Sequence, residues 1–159
     1  MAKFQCICGE RLWNGLVPND IQIHATEIEL WNKAMSENVA VLDWPEEDVW
    51  RCPQCFRLYL FKGIKVTEVY ELEEVSKAAN RIETCKCGNK DIFQEYVVYT
   101  DKEIDGLTSD VDYINEMPQP RRVVHRCKDC LRVYSFNYDS MEMKSYVYVP
   151  NAFDESEEK

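Results

Sequence analysis

The sequence Val-Trp-Arg-Cys-Pro-Gln-Cys-Phe-Arg-Leu-Tyr-Leu-Phe, residues Val49–Phe61, occurs a second time in modified form 75 positions later. The second copy, Val124–Phe136, reads Val-His-Arg-Cys-Lys-Asp-Cys-Leu-Arg-Val-Tyr-Ser-Phe. Seven positions are identical in the two copies, and in the first copy they are Val49, Arg51, Cys52, Cys55, Arg57, Tyr59 and Phe61. In each copy a Cys-x-x-Cys turn leads directly into an alternating apolar pattern. The combination predicts a metal-binding turn followed by a β-strand, with Tyr59 on one side of the strand and Leu60 on the other.

Each copy is preceded by a second cysteine pair of the form Cys-x-Cys-Gly, at Cys6–Gly9 and at Cys85–Gly88. Four thiolates from two such turns satisfy a tetrahedral Zn²⁺ ion and leave no position open for water or substrate. We therefore predict two structural zinc ions, one for each repeat. Their predicted ligands are Cys6, Cys8, Cys52 and Cys55 in the first repeat, and Cys85, Cys87, Cys127 and Cys130 in the second. Two alternatives stay open: free buried thiols, and interleaved sites in which the first pair of one repeat joins the second pair of the other.

With these residues, each repeat resembles a zinc-ribbon or rubredoxin-like module that has a strand and a helix inserted between its cysteine pairs. The resemblance covers the four cysteines, the glycine after the first pair and the strand after the second. It implies a metal site but no particular activity, because such modules serve in transcription and translation proteins, in enzymes and as protein-binding adaptors. The first pair has one residue between its cysteines where the common pattern has two, which disfavours an iron electron-transfer centre.

The repeat predicts an α+β protein of two tandem zinc-ribbon-like modules, each a small antiparallel sheet with an inserted, capped helix. The first module is predicted over residues 1–79 and the second over residues 80–153, followed by a disordered acidic tail, 154–159. The inserted helices are predicted to begin at Thr26 and Thr100, where the pattern Thr-x-x-Glu has the form of a capping box. The second helix would continue through Ile114, and a linker helix is predicted over Glu73–Ile82.

The net charge and the cysteine content limit the kinds of function that fit this sequence. The 159 residues include 19 Lys and Arg and 29 Asp and Glu, a formal net charge of −10. Two zinc ions, each bound by four thiolates, would bring the charge to about −14. Such a surface repels phosphate backbones unless a local basic patch overrides it. The sequence shows no signal peptide and no apolar run of transmembrane length, so metal binding in the cytoplasm is favoured over disulfides.

A candidate partner-binding surface follows the first predicted helix. Trp44 stands among Glu46, Glu47 and Asp48, and an aromatic side chain in an acidic loop is typical of an anchor for a basic protein partner. An equally weighted alternative is that Trp44 covers the first metal turn.

Arginines flank both Cys-x-x-Cys turns, and they are Arg51, Arg57, Arg126 and Arg132. They would either form a nucleic-acid-binding strip beside Tyr59 and Tyr134, or offset the charge of the thiolates and pair with nearby carboxylates. The acidic composition favours the second interpretation. The histidines, His24 and His125, are not needed as ligands when each site has four cysteines.

The sequence contains no His-Glu-x-x-His motif, no phosphate-binding glycine loop and no cysteine outside the predicted metal sites. We therefore expect a non-catalytic zinc-binding protein that acts by protein–protein interaction. An acidic inhibitor or immunity-type partner of a basic enzyme fits this description. The alternative is a nucleic-acid-associated zinc-ribbon protein that assists transcription or translation.

Overall fold

The structure, a computed structural model, describes residues 2–16, 18–37, 47–77, 82–101, 103 and 120–152. The regular elements of these residues are, in chain order, β1 (Lys3–Gln5), β2 (Arg11–Trp13), β3 (Gln22–Glu27), α1 (Ile28–Glu37), β4 (Glu47–Arg51), β5 (Leu58–Lys62), β6 (Lys65–Lys77), β7 (Ile92–Thr100), β8 (Arg122–Cys127), β9 (Val133–Asn137) and β10 (Glu142–Tyr148). Strands β1 and β2 form a separate hairpin, and β3 to β10 form one closed barrel. Among the described residues, no helix has the length and apolar character needed to span a membrane.

The barrel is built from both repeats. Its strand order is β10-β6-β5-β4-β3-β7-β8-β9, so each repeat supplies four neighbouring strands. The first strands of the two sets, β3 and β7, pair antiparallel with each other, and so do the last strands, β6 and β10. Equivalent edges therefore meet at both seams, which gives the barrel an approximate two-fold character.

The predicted fold class, an α+β protein of two tandem modules, is therefore wrong. A separate four-stranded sheet would leave the hydrogen-bonding groups of two edge strands unpaired. Pairing β3 with β7 and β6 with β10 satisfies both edges of both repeats at once. The cysteine motifs that suggested zinc ribbons describe local turns and carry no information about these edges. The boundary predicted at residue 79 and the tail 154–159 lie outside the described residues.

The predicted helices have different outcomes. The helix expected from Thr26 is present as α1 but begins at Ile28, because Thr26 is still paired with Val97 in the β3–β7 seam. The linker helix predicted from Glu73 is wrong as far as Lys77, since these residues continue β6. Pairing with β10 there overrides the helical spacing of the apolar residues. At the predicted start of the second inserted helix, the Thr100 N–H donates to the Glu103 carboxylate at 2.8 Å, as expected of a capping box, and Asp101 and Glu103 are helical. The rest of that helix, residues 104–114, lies outside the described residues.

The outer face of the barrel is covered at the first repeat by the β1–β2 hairpin. Phe4 of β1 makes edge contacts with Tyr59 and Phe61 of β5, at ring-centroid distances of 4.8 and 5.2 Å. Trp50 of β4 lies 5.0 Å from Phe61 and is buried with them. The hairpin and the barrel therefore share one hydrophobic core, and the first cysteine pair lies at its edge.

The alternation predicted for β5 is confirmed. Tyr59 and Phe61 point outward into the core under the hairpin, whereas Leu58 and Leu60 line the barrel interior. Because both faces of the strand are covered, the pattern contains apolar residues at every position rather than at every second one.

Helix α1 covers another part of the outer face. Trp31 is buried against Val97 and Tyr99 of β7, with its ring 5.3 Å from the ring of Tyr99. Since α1 follows β3 and packs on β7, this contact joins the two repeats beside their seam.

Substitution of Trp31 should therefore weaken the whole barrel. We expect Trp31→Ala to lower the free energy of unfolding by about 3 kcal/mol, through lost apolar burial and a residual cavity. The matched control is Leu30→Ala on the same helix, where 56% of the side chain is exposed and we expect a loss below about 1 kcal/mol. Urea unfolding followed by circular dichroism measures both values. Equal losses in the two variants would contradict the packing described for α1.

Candidate metal centres

The first candidate metal centre joins two turns that are far apart in the sequence. The thiols of Cys6, Cys8, Cys52 and Cys55 have all their Sγ atoms within 4.8 Å of one another. The Sγ atom of Cys6 lies 3.3 Å from that of Cys8 and 3.5 Å from that of Cys55, and Cys8 lies 3.7 Å from Cys52. Zinc–sulfur bonds of about 2.3 Å in a tetrahedron place neighbouring sulfurs about 3.8 Å apart. The four thiols therefore fit the ligand set of one tetrahedral metal ion.

The second centre repeats this arrangement with Cys85, Cys87, Cys127 and Cys130, again with every Sγ within 4.8 Å of the others. Cys85 and Cys130 are 3.5 Å apart, and Cys87 and Cys127 are 3.6 Å apart. Both clusters use the four cysteines of a single repeat, so the structure does not adopt the interleaved arrangement. All eight cysteines are free of disulfide bonds.

The turns have the backbone geometry that directs two thiols toward one point. The Gly9 N–H donates to the Cys6 carbonyl at 2.8 Å, and Gly9 has φ of +93°, a conformation that side chains disfavour. The second turn closes when the Phe56 N–H donates to the Cys52 carbonyl at 3.0 Å. Phe56 has φ of +60°, and its equivalent Leu131 has φ of +58°. Non-glycine residues rarely adopt this region, and here they place each chain in line for the following strand.

A tyrosine from the barrel holds each first turn in place. The Tyr59 hydroxyl lies 2.9 Å from the Sγ of Cys6 and accepts a hydrogen bond from the Ile7 N–H at 3.2 Å. Tyr134 forms the same pair of bonds in the second repeat, to Cys85 and to the Lys86 N–H. The sequence analysis placed these tyrosines in strands and, in one alternative, beside a nucleic-acid-binding strip of arginines, but not in contact with the ligand cysteines. Their recurrence at the same distance from each Cys-x-x-Cys turn was the signal that could have identified them.

The arginines predicted around the second turns fall into two groups. Arg57 donates to Glu71 and to the Sγ of Cys55, the latter at 3.6 Å. Arg132 donates to Glu73 and to the Sγ of Cys130, the latter at 3.8 Å. These two arginines thus lie between a thiol and a carboxylate. The other two, Arg51 and Arg126, line the barrel interior, so the four do not form a continuous strip.

The thiols of each cluster differ in acidity when no ion is present. Burial raises the pKa of Cys52 to about 12, and burial also raises the pKa of Cys130 to about 12. Burial acts in the same direction on Cys55, but the Arg57 amide and the neighbouring thiols outweigh it and lower its pKa to about 7. For Cys85, the Cys87 amide and the Tyr134 hydroxyl outweigh burial and lower the pKa to about 6. Each cluster therefore pairs an acidic thiol with a weakly acidic one, and a bound dication would favour the thiolate form of both.

The exposed tips of the two centres differ. In the first repeat, Ile7 between the first two ligands is 50% exposed, and Phe56 after the last ligand is 39% exposed. The equivalent of Ile7 is Lys86, which forms ion pairs with Glu73 and Glu74 at 3.1 and 2.7 Å. The first centre thus presents apolar side chains to solvent where the second presents a charged network.

The predicted partner-binding residues are only partly within the described residues. Trp44 and Glu46 lie outside them, as does the side chain of Glu47, whose backbone begins β4. Asp48 is exposed, and its Oδ1 accepts a hydrogen bond from Gln22 at 3.1 Å. The structure therefore does not test whether Trp44 covers the metal turn.

The histidines have structural positions. The Nε2 of His24 in β3 lies 3.0 Å from Asp101 just after β7, so this pair connects the repeats beside their seam. His125 lies in β8 opposite Tyr134 of β9. Neither histidine belongs to the thiol clusters.

Comparison with known proteins gives one match. Residues 2–74 match the model of a family described as a domain of unknown function, DUF8617. The matched segment is similar to that family over the first repeat, from β1 to most of β6, and it contains the whole first thiol cluster. No curated protein and no solved structure matches the chain.

Loss of one ligand should empty one centre and leave the other filled. We expect Cys52→Ser to reduce the bound metal from two ions to one per chain, and Cys127→Ser to do the same at the second centre. The double variant should bind none. Elemental analysis after gel filtration measures the stoichiometry, and circular dichroism verifies that the barrel remains folded. Retention of both ions in folded Cys52→Ser protein would show that this cluster is not a metal site.

Proposed function

We propose that the chain is a non-catalytic zinc-binding protein in which two structural Zn²⁺ ions support a barrel that acts by binding a protein partner. The observation that carries the proposal is the sulfur geometry, with four thiols of each repeat within 4.8 Å and neighbouring sulfurs 3.3 to 3.7 Å apart. A donor set of four thiolates favours zinc among the common biological dications. Four protein ligands fill a tetrahedral ion, which favours a structural role over catalysis at the metal.

Zinc at these positions would stabilise the outer layer of the fold. In the first repeat, the β1–β2 hairpin is only three residues long on each side, and such a hairpin has little stability by itself. Cys6 lies directly after β1, whereas Cys52 lies directly after β4 of the barrel. An ion shared by the two turns would therefore fix the hairpin over the core that contains Phe4 and Tyr59.

The charge and the exposed tip of the first centre support a protein partner. With both sites filled, the formal charge of −10 becomes about −14, which would attract a basic protein and speed its association. Ile7 and Phe56 provide exposed apolar contacts beside the first centre, and Trp13 of β2 is 37% exposed as well. An exposed apolar patch on a protein of strongly negative net charge is a composition suited to docking a basic protein.

The nature of the partner follows from the same charges. An acidic inhibitor or immunity-type protein that binds a basic enzyme would have such a surface, and we propose this role for the chain. Trp44, Glu46, Glu47 and Asp48 remain our proposed continuation of it. Nucleic-acid binding is the competing proposal, and the positions of the arginines do not favour it, since Arg57 and Arg132 are engaged with Glu71 and Glu73.

The metal part of the proposal predicts two zinc ions per purified chain. Removing them with a strong chelator should lower the midpoint of thermal unfolding by more than about 10 °C, because structural zinc contributes several kcal/mol to folding. Elemental analysis and a thermal scan before and after chelation measure both quantities. Returning Zn²⁺ should restore the midpoint, which serves as the control. A purified protein containing iron, or one unaffected by chelation, would contradict the structural zinc assignment.

The partner part is tested after co-purification from the native host identifies a candidate protein. We expect Phe56→Ser and Asp48→Lys each to weaken its binding about tenfold, the first through lost apolar burial and the second through reversed charge. The matched control is Tyr138→Ser in the turn between β9 and β10 of the second repeat, where Tyr138 is 50% exposed and binding should not change. Surface plasmon resonance at two salt concentrations measures the affinities and the expected fall in association rate with salt.

Two outcomes would contradict the protein-partner proposal. One is a partner whose affinity is the same for Phe56→Ser, Asp48→Lys and the control. The other is tight, steeply salt-dependent binding of single- or double-stranded nucleic acid by the metal-loaded chain, which would favour the competing proposal.

A further inference from the structure

The barrel encloses a cavity that the two metal centres do not use. Its volume is about 220 Å³, and its walls are formed by inward-facing side chains of all eight barrel strands. Most of the wall is apolar, and examples are Val49, Leu58, Leu60, Val98, Val124 and Val133. Barrels of eight strands commonly have room for interior side chains or for one small ligand. Charged side chains also face this cavity, and their arrangement carries the inference.

Equivalent positions of the two repeats face the barrel interior. Arg51 and Arg126 are equivalent because they occupy the same place in the repeated stretch. Tyr70 lies opposite Leu58 in the β5–β6 pair, and Tyr146 lies opposite Val133, the equivalent of Leu58, in the β9–β10 pair. Each repeat therefore contributes an inward arginine and an inward tyrosine at equivalent positions. The second repeat adds Tyr96 and Arg122, and Arg122 is paired with Glu103.

Each arginine shares the cavity with the tyrosine of the other repeat. The Arg126 guanidinium lies 5.9 Å from the centre of the Tyr70 ring. Arg51 and Tyr146 both line the cavity, where burial raises the pKa of Tyr146 and the positive charge of Arg51 acts in the opposite direction. The two arginine–tyrosine pairs are thus related by the same approximate two-fold character as the strands.

The arrangement differs at one position, where a carboxylate in one repeat is replaced by an ammonium group in the other. Arg126 forms a two-oxygen ion pair with Glu68, at 2.8 and 2.7 Å. In the first repeat, Glu68 of β6 lies opposite Leu60 of β5. In the second repeat, Ser135 of β9 is equivalent to Leu60, and the residue opposite it is Lys144 of β10. The position equivalent to that of Glu68 therefore carries a cation, and this cation and Arg51 both line the cavity.

Arg51 is left without the compensation that Arg126 has. Its Nε atom is buried and has no hydrogen-bond partner among the described residues, and no described carboxylate forms an ion pair with it. The Nε of Arg126 also lacks a partner, but its Nη2 is held by Glu68. Lys144 also lines the cavity, with its Nζ 5.3 Å from the centre of the Phe56 ring. Both side chains are half-buried, and cations that are partly removed from water without a counter-charge are costly, so this part of the cavity favours an anion.

We propose that the barrel interior binds a small organic monocarboxylate, with its carboxylate between Arg51 and Lys144 and its apolar body along the valine and leucine walls. A carboxylate would supply the charge that Glu68 supplies to Arg126, and a planar guanidinium can donate to it directly. An apolar body is required because the remaining wall offers mainly aliphatic contacts. Glu142, which also faces the cavity, lies farther along β10 from Tyr146 than Lys144 does, so it would meet the far end of the ligand.

The volume limits the size of the ligand. At about 220 Å³ the cavity is smaller than the roughly 300–1,000 Å³ that pockets for drug-sized molecules occupy. Monocarboxylates with one short alkyl chain or one aromatic ring are therefore the expected class. The carboxylate proposal does not require the proposed protein partner, because its walls are the inward side chains of the barrel; the two sites come close where the Lys144 ammonium lies against the Phe56 ring.

The test uses the metal-loaded full chain with octanoate and benzoate as probes, followed by isothermal titration calorimetry and by shifts of interior methyl resonances. We expect at least one probe to bind with a submillimolar dissociation constant. Acetate lacks the apolar body, and 1-octanol and inorganic phosphate lack the carboxylate, so each should bind at least tenfold more weakly. Equal binding of octanoate and 1-octanol, absence of binding by both carboxylates, or preference for phosphate would each overturn the proposal.

Variants locate the site. Lys144→Glu recreates beside Arg51 the ion pair that Arg126 forms with Glu68, so it should keep the barrel folded and abolish carboxylate binding. Arg51→Gln should weaken binding at least tenfold. Lys33→Gln on the exposed face of α1 is the matched control and should bind as the unaltered chain does. Unchanged carboxylate binding in folded Lys144→Glu protein would place the ligand elsewhere and overturn the assignment.

Discussion

The pairing of equivalent strands between the two repeats is the interaction on which the rest of the structure depends. Each repeat forms four antiparallel strands in sequence, and its outer strands would leave two rows of backbone groups without partners. Because β3 pairs with β7 and β6 with β10, both rows are satisfied and the sheet closes on itself. Closure creates the interior cavity and also fixes the outer faces on which the hairpin, α1 and the cysteine turns are held.

The thiol clusters were predictable from sequence because their determinants are local. A Cys-x-Cys-Gly turn needs the positive φ that Gly9 supplies, and the spacing of the two cysteines is enough to identify a Cys-x-x-Cys metal-binding turn. The alternation after Cys55 likewise gave the correct sides for Tyr59 and Leu60. The partner of each strand edge was not predictable, since any of several edges could satisfy the same backbone groups. For the same reason the apolar residues after Glu73 resembled a helix, while pairing with β10 made them a strand.

The outward and inward faces of the barrel place different requirements on the sequence. Outward residues that contact the ligand thiols are the same in both repeats, as with Tyr59 and Tyr134, because both must hydrogen-bond a ligand cysteine and its neighbouring amide. Inward positions must fill one shared interior instead, so equivalent residues face each other and need not be alike. Leu60 and Ser135 illustrate this freedom, since they occupy equivalent places but differ in polarity. The family match over residues 2–74 spans one whole metal centre but only half of the strands that surround the interior.

The interior also shows where stability alone does not explain the sequence. A glutamate opposite Ser135 would give Arg51 the ion pair that Arg126 has, yet the chain has Lys144 there and carries two cations beside one apolar wall. Natural sequences depart from local rules mainly at sites that serve a function, and the cost must be met by other parts of the fold. Here the closed backbone ladder and the packed outer layer can offset the free-energy cost of the unpaired cations, because neither depends on the charge inside the barrel. The unbalanced pair of cations is thus better explained by an anion that comes and goes than by the requirements of folding.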